Sequence, residues 1–163
     1  MSVAMTLRLD DLGVARGLRA VERGAGDLTG LMRRIGTVLE TSVSERFERG
    51  EGPGGVEWPV SGRAQREGGQ TLVDSARLRD SIVSEASSRS VDVGTNVIYA
   101  AVHQFGETIK PRTADKLAFR LPDGRFVQVD QVVIPPRPFL GFDARDEADI
   151  TDTVEAYFEG LWS

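Results

Sequence analysis

The chemistry open to this sequence runs through His103, the single histidine of a 163-residue chain that has no cysteine. It lies in VGTNVIYAAVHQFGET, residues 93–108. A nucleophilic relay needs a serine, a base and an orienting carboxylate in one site. Serines are plentiful, but no Gly-x-Ser-x-Gly elbow occurs. A helical metal site needs a second ligand three or four residues away. The residue at that step is Glu107, beyond the glycine that closes the segment, and a His–Glu pair alone is a weak metal signal. No Gly-x-x-x-x-Gly-Lys-Ser/Thr or Gly-x-Gly-x-x-Gly loop is present to cradle a phosphate. Seven carboxylates follow residue 142 without the alternating spacing and glycine of a calcium loop. No cofactor or metal is therefore expected. On a helix, Ile98, Ala101, Val102 and Phe105 would form the apolar face. His103 and Gln104 would sit beside it, His103 as a hydrogen-bonded structural histidine.

The elements that position this segment can be read from periodicity. Val3, Met5, Leu7 and Leu9 alternate with Ala4, Thr6 and Arg8, the period of a short strand. Asp10 or Asp11 then caps a helix to about Glu22, ended by Gly24 and Gly26. Asp27 caps a second helix, in which Leu28, Leu31, Met32, Ile35, Leu39, Val43 and Phe47 form one stripe. Gly50 stands where that helix stops. Residues 50–70 hold seven glycines and two prolines, so they read as an extended loop with no regular element. Within it, Trp58 either pins the loop to the body or meets a partner.

Residues 72–82, LVDSARLRDSI, read as a short helix capped by Asp74 or Ser75. A hairpin follows over roughly 82–94, turning at Ser87–Ser90, with Gly94-Thr95 breaking the strand. Thr95 caps the helix of the opening segment and Gly106 closes it. Residues 117–129 form two strands around Pro122-Asp123-Gly124. Val132–Ile134 make another strand, ended by Pro135-Pro136-Arg137-Pro138. A last helix, about 146–161, turns Ile150, Val154, Tyr157, Phe158 and Leu161 to one side. The expected class is α+β: N-terminal helices, then a small antiparallel sheet with inserted and C-terminal helices, all in one domain over 1–163.

Charge narrows the partners. Residues 143–163 carry one arginine against seven carboxylates, net −6, out of −5 for the whole chain. No segment is basic enough for a nucleic-acid footprint. No apolar run nears the roughly 20 residues of a membrane span, so no membrane partner is expected. The N-terminus has no signal-peptide pattern, which points to folding in the cytoplasm. The acidic C-terminal helix reads as a solvated face. Three segments favour binding over chemistry: the Gly-rich loop with Trp58, the basic stretch Ile109-Lys110-Pro111-Arg112, and PPRPFLGF at 135–142. There the prolines stiffen a backbone that presents Arg137, Phe139, Leu140 and Phe142.

Four motifs in order resemble the phage virion morphogenesis family, the tail-completion or neck proteins typified by phage Mu. PGGVEWPV (53–60) is similar to its Gly-x-x-Trp-x-Pro segment. LVDSARLRDSI (72–82) is similar to its Leu-x-x-(Ser/Thr)-Gly-x-Leu-x-x-Ser-Ile. VGTNVIYAAVHQFG (93–106) matches Val-Gly-Thr-x-x-x-Tyr-Ala-x-x-His-Gln-Phe-Gly, through Tyr99, His103, Gln104 and Phe105. IPPRPFLGF (134–142) matches Ile-Pro-x-Arg-Pro-Phe-Leu-Gly. Ala76 stands where the family has glycine, which a helix over 72–82 would favour by roughly 1 kcal/mol.

The resemblance implies a structural role and no enzymatic reaction. It implies a virion location at the head–tail junction, with assembly in the host cytoplasm. The implied partners are other copies in a closed ring (a hexamer favoured, twelve copies the alternative) and the adjacent neck and tail-tube proteins. Genomic DNA would pass without specific binding. The rival readings are a tail-associated hydrolase using His103 and a small non-virion binding protein. In the contact reading, Trp58→Ala and Phe139→Ala should fold but join poorly.

Overall fold

The computed structural model describes residues 3–7, 27–121 and 123–162. The helix expected over 10–22 lies outside them. Strand β1 (Val3–Leu7) is where alternation placed it. Helix α1 (Thr29–Arg49) is the spine of the fold. Asp27 accepts from the Thr29 backbone N–H at 2.9 Å, one residue outside the N-cap Leu28. Gly50 ends the helix in the left-handed region at φ 70°, its N–H bonded to the Arg46 carbonyl. The apolar stripe is buried from Leu31 to Phe47. Each such side chain contributes about 1.5–3 kcal/mol.

That stripe packs on a three-stranded antiparallel sheet of order β1-β3-β2, with β2 at Val83–Ala86 and β3 at Val91–Thr95. Val91, Val93 and Thr95 face inward. Gly36 sets the distance: a Cβ there would come within 2.5 Å of Ser84 Oγ. Gly94 and Thr95, expected to break the strand, are paired with β1 and remain within it.

The Gly-rich loop is more ordered than its composition suggests. It holds a 3-10 turn (Pro53–Gly55) and helix α2 (Gly62–Glu67). Ser61 Oγ caps α2 by accepting from the Ala64 N–H at 3.2 Å. This cap, and the Thr71 hydroxyl that accepts from the Ser61 N–H at 3.1 Å, offset the glycine cost over so short a span.

The helix expected over 72–82 shrinks to α3 (Arg77–Asp80). Leu72 and Ala76 lie at φ 63° and 60°, left-handed positions that interrupt helical geometry. Alanine at Ala76 is therefore strained rather than favoured, reversing the inference drawn from helix propensity. A residue with a Cβ costs roughly 1–2 kcal/mol in that region, against about 0.4–1 kcal/mol of extra unfolded-state entropy for glycine. Ala76→Gly should stabilise the fold by up to about 1 kcal/mol, read as a rise in the urea midpoint.

Helix α4 (Ala100–Phe105) leads into β4 (Glu107–Ile109), a strand the sequence reading did not anticipate. β4 pairs with β7 (Val132–Ile134), and β5 (Leu117–Arg120) pairs with β6 (Phe126–Val129). Both ladders are separate from the three-stranded sheet. Helix α5 (Ala144–Trp162) lies on α1, burying Ile150 and Val154. The mixture of helices with small antiparallel sheets is the α+β class.

Candidate functional site

Two of the motif segments, 53–60 and 93–106, are bonded to the strap 135–142, and 72–82 is tied to β3 beside it. Gln104 is the clamp of the strap. Its Oε1 accepts from the N–H groups of Phe139 (3.1 Å) and Leu140 (3.0 Å), and its Nε2 donates to the Leu140 carbonyl (2.7 Å). The Arg137 N–H donates to the His103 carbonyl at 2.7 Å. From the loop, Trp58 Nε1 donates to the Pro138 carbonyl at 2.9 Å. Arg137 Nε donates to the Pro59 carbonyl at 2.7 Å. The Ser81 and Thr95 hydroxyls bond at 2.6 Å, tying 72–82 to β3. Gly106, at φ 72°, lets the chain turn under the strap, where a Cβ would meet the Ile134 carbonyl at 2.8 Å.

These bonds decide which candidates are buried. Trp58 (5% exposed) packs edge-on and Phe139 (0%) packs tilted against Phe47, each with a centroid separation of 5.4 Å. Trp58 is an anchor that pins its loop to the body. Leu140 is buried and Phe142 half-buried against the core.

Helix α4 is turned opposite to expectation. Val97 and Ala100 are buried, with Gln104 bonded beneath, while Ile98 (79%) and Phe105 (69%) project outward beside half-exposed Tyr99. Three hydrogen bonds to buried backbone are worth more than two apolar contacts, since an unmet backbone group costs about 1–3 kcal/mol. Gln104 therefore takes the inner face. Thr95 does not cap α4. Its hydroxyl accepts from the Val97 N–H at 3.1 Å, and Tyr99 occupies the N-cap position.

His103 stands edge-on to Tyr99 at 5.9 Å, and its buried Nδ1 has no hydrogen-bond partner among the described residues. The expected hydrogen-bonded imidazole is thus not found at that atom; the backbone carbonyl carries the bond instead. Ser61, Asp74 and Ser75 line the same cleft, yet none bonds the imidazole. No catalytic relay and no metal cluster is assembled among the described residues.

Burial lowers the His103 pKa, and the positive Arg137 lowers it further. The unfolded chain then takes up this proton first. Stability is full above the ordinary value of about 6.5 and falls as pH drops below it. His103→Asn should flatten the stability profile between about pH 5 and 7, a window with no other imidazole to confuse it. Asp143 acts lower. Burial would raise its pKa, but N–H donors from Gly54, Asp146 and Arg145 outweigh that and lower it. Its contribution is present above its ordinary 3.8 and lost as pH falls through the lowered value.

The sequence reading missed one cluster. Arg46 is 2% exposed and lies inside the apolar stripe of α1. It donates to the carbonyls of Phe139 (3.3 Å) and Gly141 (2.9 Å) and pairs with Asp143 and Asp146. Asp146 also accepts from Ser42. Asp146 is therefore not part of a solvated acidic face. An arginine three residues after Val43, on the core side of the helix, was the available signal.

The α+β body thus holds a proline strap with outward apolar side chains beside it. Residues 9–159 match the phage virion morphogenesis family, and the chain belongs to it. It is 36% identical over 131 residues to the Mu-like prophage FluMu G protein 2 of Haemophilus influenzae, covering 80% of this chain and 78% of that one. It is 28% identical over 170 residues to a protein of Escherichia phage Mu provisionally named capsid assembly protein G, covering 94% and 91%. No solved structure matches the chain.

Proposed function

We propose that this chain is a non-enzymatic structural protein of the phage head–tail junction, closing into a ring that joins or terminates the tail. The supporting observation is the outward apolar set Ile98 and Tyr99, in the turn leading into α4, and Phe105, at its end, on a segment whose Gln104 is locked to the strap. Phe126 and Val133, on the separate β-ladders of 107–134, are also exposed. Large apolar side chains gathered on such features mark protein contacts. Different surfaces meeting head to tail generate rings when the rotation closes. Six copies are the favoured number, bordered by neck and tail-tube proteins, and the acidic surface would limit sticking to passing DNA.

Ile98→Asp with Phe105→Asp should keep the circular dichroism and melting of the parent, because exposed substitutions usually change stability within about 0.5 kcal/mol. The variant should fail to complement a phage lacking this gene. Electron microscopy of the lysates should show full heads apart from finished tails. Infectious particles at normal yield would remove the junction assignment.

A further inference from the structure

A cleft of about 290 Å³ opens between the 61–78 segment, α4 and the strap. Its walls include Arg63, Arg77, His103 and Arg137 against a single carboxylate, Asp74. Asp74 is engaged by Arg63 at 3.7 Å. Arg137 is 6% exposed, bonds only through Nε and its backbone N–H, and has no ion pair among the described residues. Arg77 is exposed and also has no ion pair there. His103, with its unpartnered Nδ1, lines the same wall. A buried guanidinium without a counter-charge is costly. Its free fork of donors fits a carboxylate.

We propose that this cleft is a carboxylate-binding site filled by an acidic side chain from α5 of a second copy of this chain. This rests on the ring reading above. The same chain carries the complement: Glu147, Asp149, Asp152, Glu155 and Glu159 are exposed on α5 and make no ion pair among the described residues. The cleft and this stripe belong to different elements, so their pairing is heterologous and repeats around a ring. Opposite charges on two faces of one subunit also set its head-to-tail direction.

The test is sedimentation velocity on the full chain and two charge variants. One carries Arg77→Glu. The other carries Asp149→Lys, Asp152→Lys and Glu155→Lys. All four positions are exposed, so circular dichroism should match the parent. Each variant alone should associate at least about tenfold more weakly, the scale for removing one side of a desolvated charge pair. Mixing the two should restore rings, because every cleft then finds an opposite charge in alternating copies. A parent ring with both variants still assembled would overturn the cleft assignment and leave the ring reading intact. A parent that stays monomeric at every concentration would overturn both.

Discussion

Arg46→Ala and Asp146→Ala should each remove about 3–5 kcal/mol of folding stability, the cost of stripping one partner from a buried ion pair. A typical domain has only about 5–15 kcal/mol in total. Both variants should therefore show urea midpoints reduced by a large fraction, or accumulate as insoluble protein. The reason is connectivity. Arg46 reaches from α1 to the strap carbonyls and to Asp143 and Asp146. Without it, two carboxylates and two carbonyls lose a donor, and of these Asp146 is almost fully closed to water. The double variant should cost clearly less than the two single losses added, because the groups share one network. Strictly additive losses would show that the pair is not coupled.

Phe139→Ala is the second large effect. Truncating a buried phenylalanine costs about 3–5 kcal/mol. Trp58→Ala should approach that range, since it removes the edge contact with Phe47 and frees the Pro138 carbonyl that Trp58 Nε1 serves. Both are folding substitutions, not the folded but assembly-defective ones that a surface reading of these aromatics implies. Differential scanning calorimetry separates the cases. A drop of many degrees in the melting temperature supports the core placement. An unchanged melting temperature with lost assembly would return Trp58 and Phe139 to the surface. Interface tests belong at Ile98 and Phe105, where the side chains face outward.

Short-range signals proved legible where local rules act alone. The stripe from Leu28 to Phe47 places α1 and its buried face, and Gly50 its end, because a 21-residue helix repeats its period several times. The turn at Ser87–Ser90 and the strands around Asp123-Gly124 follow from turn chemistry. The motif order Trp58, His103-Gln104, Arg137-Pro138-Phe139 indicated the family before any fold was known. What failed were decisions involving few residues. α4 has six residues, less than two turns, so periodicity cannot choose its inner face. Ala76 read as helical because propensity says nothing about a φ imposed by packing.

By itself, then, the sequence determined the α+β class, the main helix and its core stripe, and the absence of catalytic and metal motifs. Those properties depend on neighbours in the chain and on residue type. The tertiary structure alone decided which aromatics are anchors, that Gln104 clamps the strap, that Arg46 reaches Asp146 from 100 residues away, and that Arg137 is buried without a counter-charge among the described residues. Each of these is a contact between distant segments. Which polar groups meet there is fixed by the demand that buried backbone and charge find partners, and that demand has no local pattern in the chain.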